Sequence, residues 1–310
     1  MDHHPSERRL VVVYNPISTA RREVEQGVFS RLDECGELYE TIRTRFRSYD
    51  ANVDDIASQL RDGDVVLSAA GDGTASQVVN AVLQSTADAE VGFLPYGNFN
   101  DLALAHMSRH DSILNLLSAP TTNLIPLAVT LDNRAWRYAP AYLTIGWTAT
   151  AASQFDELSS RAVLSRLPRS LRLAQSLSQL ASSYLLHRTY YLPHHETSLP
   201  SNNSKATTDI LAINSPQVAR IIRPSRPFYT DLEFGYKEVD MSKIIPNIPF
   251  GLQALAGLAR LPSLNDVIVH FDEPVSLPIQ TEGEFANITA QDVAITKQNT
   301  GIRVLHSKEK

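Results

Sequence analysis

Residues 65–83 run from an apolar strand, through a glycine turn, into a helix, and this unit constrains the fold more than any other stretch. Val65, Val66 and Leu67 lead into Gly71-Asp72-Gly73-Thr74, and Val78, Val79, Val82 and Leu83 follow at helical spacing. Glycines there let backbone N–H groups approach an anion closely, since no Cβ intervenes. The helix N-terminus adds partial positive charge at the same place, and Thr74 adds a hydroxyl. Asp72 would repel a bare phosphate, so its presence points to a metal ion or to a catalytic role. The unit reads as a nucleotide-phosphate site.

Two more units of the same kind flank it. Leu10–Val13 runs into Tyr14-Asn15-Pro16-Ile17-Ser18, and Val91–Leu94 runs into Pro95-Tyr96-Gly97-Asn98-Phe99-Asn100-Asp101. Asn100 is placed as an N-cap, and Asp101 favours the first turn of the helix behind it. Strands are expected at 10–14, 39–46, 64–69, 91–94 and 124–128. Helices are expected at 19–34, 51–61, 74–85, 100–107 and 111–118. This alternation predicts a doubly wound parallel sheet with helices on both faces. Ligands of such sheets sit outside the carboxyl ends of the strands. Asn15, Asp72, Gly97 and Asp101 all lie just past such an end, so the topology converges them on one crevice.

The pattern changes after residue 128. Short runs at 142–145, 189–192, 207–213, 267–271 and 275–279 suggest antiparallel strands. Residues 168–186 read as an amphipathic helix whose apolar stripe either faces a core, the commoner case, or lines a lipid entrance or membrane, and 247–260 as a second helical stretch with the same two readings.

The three turns, in this order, resemble those of the diacylglycerol kinase catalytic-domain family. That family carries an Asn-Pro turn, a Gly-Gly-Asp-Gly-Thr turn and a Pro-x-Gly-Thr-x-Asn-Asp turn, then an Asp-Gly-Glu turn late in the chain. The last is matched by Glu282-Gly283-Glu284, and Leu211-Ala212-Ile213-Asn214 resembles the family's mid-domain strand ending in Asn. The resemblance implies an N-terminal nucleotide domain over 1–127, joined by a returning strand within 296–310, and an antiparallel β-sandwich lipid domain over 128–295. It implies ATP and Mg²⁺ as cofactors. Asn15, Pro16, Gly71, Asp72, Gly73, Thr74, Gly97, Asn98 and Asn100 would form the nucleotide site, with Asp72 and Asp101 in the metal network. Glu282 would stand where the family has its catalytic base, with Glu284 as companion.

Four departures bear on activity. Ala70 replaces the first glycine of the double-glycine turn, and Asn98 replaces a threonine. Pro126 stands where a carboxylate is expected, and Glu282 is one methylene longer than Asp. A catalytically impaired nucleotide- or lipid-binding protein therefore stays open beside the lipid kinase, and so does a soluble-metabolite kinase, since NAD kinases and phosphofructokinases also use Gly-Gly-Asp-Gly-Thr turns.

Charge limits the partners. Residues 1–125 hold 10 basic against 18 acidic side chains, and the remainder 18 against 16. Nine basic residues between 158 and 229 face only Glu196 and Asp209, a balance suited to an anionic membrane surface at roughly 1 kcal/mol per residue close to it. The commoner reading of such a run is a solvated face. Nucleic acid is disfavoured by the overall acidity, and homo-oligomerisation stays open. The single cysteine, Cys35, rules out an intramolecular disulfide and fits a reducing cytoplasm. His194, His195 and His187 lack the spacing of a metal motif, and no nucleophile elbow of a serine hydrolase is present.

Overall fold

The computed structural model describes residues 8–18, 20–45, 48–97, 99–108, 111–150, 192–199, 207–218, 222–240, 249–250, 252–253 and 256–307. The first strands are Leu10–Tyr14 (β1), Tyr39–Arg43 (β2), Val65–Ala70 (β3), Glu90–Pro95 (β4) and Thr121–Leu124 (β5). The second half contributes Leu127–Leu131 (β6), Arg134–Ala139 (β7), Tyr142–Gly146 (β8), His195–Thr197 (β9), Asp209–Ile213 (β10), Phe234–Val239 (β11), Ser263–Leu264 (β12), Asp266–Thr281 (β13) and Glu284–Lys297 (β14). Ile302–Leu305 (β15) returns to the first half and lies between β4 and β5.

Among the described residues these strands make two sheets. The first runs β2-β1-β3-β4-β15-β5, parallel except for β5 at its edge. Its two faces bury alternate residues, as the period of two requires. Val11, Val13, Val66, Val91, Phe93 and Val304 pack under the helices Tyr49–Ala57 (α3) and Asp72–Ser85 (α4). Leu10, Val12, Leu67, Leu94 and Leu305 pack on the opposite face, against Val24, Val28 and Leu32 and against Ile113 and Leu116. Each such side chain gains about 1.5–3 kcal/mol from leaving water, which pins the strand register. The doubly wound fold is thus as the alternation predicts.

The second sheet is antiparallel throughout, in the order β12-β11-β10-β8-β13-β14-β6-β7, with β9 on β13. The sandwich is made by bending one continuous sheet. β13 and β14 run through both halves, and their register shifts between His270 and Val275 where the hairpin bends. Leu143, Ile145, Ile210 and Phe234 from one half meet Leu127, Val129, Val269 and Ile295 from the other in one core. The two short strands expected at 267–271 and 275–279 are therefore one strand with a bulge.

Three expectations move. The strand expected at 124–128 is two strands in different sheets, because Pro126 has no N–H to donate and the chain crosses between domains there. The helix expected at 19–34 is interrupted by a π-helical turn, Glu25–Phe29, between Arg21–Val24 (α1) and Ser30–Glu34 (α2). Gly27 sits in that turn, where a Cβ would stand 2.6 Å from the Tyr96 hydroxyl. The helix expected from residue 74 starts two residues earlier, so the glycine turn is itself its first turn. Residues 168–186 and most of the basic run lie outside the described residues, as do 247, 248, 251, 254 and 255 of the second helical stretch.

Candidate active site

Ala70 of β3 pairs with Pro95 of β4, so the glycine turn and the Pro-Tyr-Gly turn leave the sheet side by side. They touch through Gly71 and Gly97. A Cβ on Gly97 would lie 2.3 Å from Gly71 Cα, and one on Gly71 would lie 3.1 Å from Gly97 Cα. Asn100 closes the second turn on itself. Its Oδ1 accepts from the Gly97 amide at 2.5 Å, and its Nδ2 donates to the Pro95 carbonyl at 3.1 Å. That bonding holds Asn100 at φ +57°, and its side chain makes no bond to the helix Asp101–His106 (α5) behind it. The expected N-cap role passes to Asp72, whose Oδ1 accepts from the Leu102 amide at 3.2 Å. Asp72 thereby stands beside the buried Asp101.

The first turn of α4 starts at the glycine turn itself, with Gly71 as its N-cap. Asn15 folds the first turn by accepting from the Ile17 amide at 3.0 Å. Pro16 of that turn also lines a cavity of about 610 Å³ beyond β2, with Thr41, Ile42, Arg43, Thr44, Arg45, Asp55 and Gln59. Asn98 lies outside the described residues. Gly71, Asp72, Gly73, Thr74, Gly97, Asn100 and Asp101 form one cluster, with the Asn15–Pro16 turn at the end of the neighbouring strand.

The two late glutamates part company. Thr281 pairs with Glu284, so Glu282 and Gly283 are the two residues of a tight hairpin turn, at φ +45° and +86°. Glu284 reaches the glycine turn: a Cβ on Gly73 would stand 2.3 Å from its Oε1. Burial holds the Glu284 carboxyl above its ordinary pKa, opposed by the charge of Arg137. Glu282 is only 1% exposed. Its Oε1 accepts from the amides of Ala141 at 2.7 Å and Tyr142 at 2.9 Å, and its Oε2 from the Ser76 hydroxyl at 3.0 Å. Burial pushes its pKa up to about 8, against the pull of those hydrogen bonds.

Sequence reasoning missed the network behind Glu282. Ser76 meets the Tyr49 hydroxyl at 2.9 Å, and Asn80 Nδ2 donates to Tyr49 at 2.9 Å and to the Tyr138 carbonyl at 2.8 Å. Arg137 stacks over the Tyr49 ring at 3.8 Å. Ser76 and Asn80, polar residues one helical turn apart among the buried residues of α4, were the available signal.

Other side chains fall into plain structural roles. His194 pairs with Asp272 at the surface, and His195 packs on Phe271. Of the basic run, Arg226 pairs with Asp231 and Glu233. Among the described residues no three His, Cys, Asp or Glu side chains gather to hold a metal by themselves. No helix among the described residues is long and apolar enough to cross a membrane.

Comparison with known proteins agrees with this fold. Residues 9–126 match the family model of the diacylglycerol kinase catalytic domain. A diacylglycerol kinase of Staphylococcus haemolyticus (strain JCSC1435) is 31% identical over 96 residues, which is 30% of this chain and 29% of that protein. A putative diacylglycerol kinase structure from Bacillus anthracis str. Sterne superposes with a TM-score of 0.67 at 12% identity, covering 96% of this chain and 97% of that one. An NAD kinase from Archaeoglobus fulgidus, solved in complex with ATP, superposes with a TM-score of 0.50 at 10% identity, over 97% and 94% of the two chains. The resemblance read from the three turns is thereby borne out: residues 9–126 match the diacylglycerol kinase catalytic-domain family model, and the chain superposes on the solved diacylglycerol kinase fold.

Proposed function

We propose that this protein is a lipid kinase, transferring the γ-phosphoryl group of ATP to a hydroxyl of a membrane-derived lipid such as diacylglycerol. One observation carries the reading: a carboxylate from the second domain, Glu284, stands against the glycine turn of a diacylglycerol kinase catalytic domain. Phosphoryl transfer needs positioning and charge neutralisation more than covalent chemistry from the protein. Magnesium, when bound, neutralises charge on the phosphates.

The first-turn amides of α4 hold the phosphates, with Thr74 and Asn15 as polar side-chain partners. The nucleoside end occupies the cavity that Pro16 shares with Thr44, Arg45 and Gln59. Asp72 and Asp101 hold the cation. Glu284 takes the proton of the attacking lipid hydroxyl, a task favoured by a carboxyl whose pKa is raised by burial. Glu282 is sealed from the cleft and serves Glu284. An anionic membrane surface presents the lipid, contacted by the basic residues between 158 and 229.

The test is transfer of labelled γ-phosphate from magnesium-ATP to a lipid panel in mixed micelles, with NAD as a soluble control. Labelled lipid, lost in Asp72→Asn and Glu284→Gln, is the expected result. Label in NAD alone would make this a soluble-metabolite kinase, and ATP binding without any transfer would make it a binding protein.

A further inference from the structure

Glu282 occupies a costly place. It is the first of two positive-φ residues in a tight hairpin turn, a conformation that Asn, Asp and Gly adopt more readily than Glu. Its carboxyl is buried as well, and burying such a group is costly unless hydrogen bonds replace water. Both costs are met by one set of contacts. The Ala141 and Tyr142 amides at the start of β8 converge on Oε1, and the Ser76 hydroxyl on α4 meets Oε2. Those donors come from different domains: β8 belongs to the antiparallel sheet and α4 carries the glycine turn.

Two residues further on is Glu284, whose carboxylate lies against Gly73 at the head of the same α4. Asp shortens the side chain by one methylene, so it would not span the turn, β8 and α4 together in this geometry. We propose that Glu282 is a positioning residue, a buried latch that fastens the Glu282–Gly283 turn to β8 and α4 and so delivers Glu284 to the glycine turn. The inference rests on the kinase reading for its catalytic consequence, and on the hydrogen bonds alone for its structural one.

The latch does not need the charge. Both backbone donors point at Oε1, so a proton carried by the acid sits on Oε2 and is offered to Ser76. When the acid is ionised the chain runs one way instead, from Asn80 to Tyr49 to Ser76 to Glu282. The charged group acting on it directly is Asp72 on α4, and the charged and titratable groups around the Tyr49 end of its network are Tyr49 on α3, Arg137 on β7 and Glu284 on β14. Gln, with its carbonyl toward β8 and its NH₂ toward Ser76, reproduces the protonated form.

Hydrogen–deuterium exchange and lipid phosphorylation, measured on wild type, Glu282→Gln, Glu282→Ala and Ser76→Ala, test the latch. In Glu282→Ala, exchange at 141–142 and 282–284 should rise at least ~10-fold, and kcat should fall on the order of 10²-fold with KM for ATP nearly unchanged. Glu282→Gln should keep the amides protected, the pH profile intact and kcat within ~3-fold of wild type. If Glu282→Ala does not fold, Ser76→Ala carries the test, with a smaller rise in exchange and a smaller loss of kcat.

Glu282→Gln as inactive as Glu284→Gln, with its amides still protected, would overturn the proposal and make Glu282 the chemical base. Unchanged exchange in Glu282→Ala, or in Ser76→Ala where that variant is the one used, would overturn it too. A wild type that phosphorylates no lipid would end the kinase reading, while the exchange data would still decide the latch.

Discussion

Glu284 and Gly73 belong to different domains and meet at one point: the space where Gly73 would carry a Cβ is taken by the Glu284 carboxylate, at 2.3 Å. That space is held by the end of a flexible side chain, so Gly73→Ala pushes Glu284 aside without breaking the fold. Activity is expected to fall on the order of 10²-fold, since an ångström of misplacement costs that much, with a thermal midpoint close to wild type. Steady-state kinetics beside a melting curve would check it.

Gly97→Ala should behave in the opposite manner. Its Cβ would meet the Gly71 backbone, which cannot swing away. Overpacking of this kind costs about 1–3 kcal/mol or more, so urea unfolding should show a clear loss of stability along with loss of ATP binding.

Asp72→Asn keeps an Oδ1 to accept from the Leu102 amide, so the two turns should stay joined. What it loses is the charge for the cation. A drop in kcat of roughly 10²–10³-fold, with little change in far-ultraviolet circular dichroism, is expected. Excess EDTA should silence the wild type in the same assay.

The pH dependence of stability follows from Glu282. Unfolded, the acid loses its proton near 4.5, whereas in the folded protein it holds it to about 8. The folded state binds the extra proton between those values, so this group's contribution is fully present below pH 4.5 and is lost as pH rises to about 8. Denaturation midpoints of wild type should therefore fall across that window relative to Glu282→Gln. Parallel curves would show that the acid is ionised in the fold throughout.

Filling the cavity beyond β2 tests the nucleoside site. Thr44→Trp places a bulky ring in the space that Pro16 shares with Gln59. ATP affinity is expected to drop about 10-fold or more, roughly 1.4 kcal/mol, as measured by calorimetric titration.

The parallel sheet and the three turns were legible because each rests on local chemistry. Val65–Leu67 is an apolar run long enough for a buried strand, and Gly71 and Gly97 stand where two backbones meet. The C-terminal return at Ile302–Leu305 was legible from its apolar run together with the family resemblance. Features set by distant partners were not. Nothing near Gly27 signals a π-helical turn, since the group that needs the room is Tyr96, far along the chain. Arg134–Ala139 and Phe234–Val239 carry charged or glycine residues that mask their strands until their neighbours are known. The separate fates of Glu282 and Glu284 depend on Ser76 and Gly73, some two hundred residues earlier.

The place of β15 between β4 and β5 has a consequence in time. Leu124 and Ile302 are paired in the finished sheet, yet the entire antiparallel domain is synthesised between them. At ~5–20 residues per second the nascent nucleotide domain waits roughly 10–35 s with the free side of β4 unpaired. An apolar strand edge left open that long is where this protein is most exposed to aggregation during its synthesis.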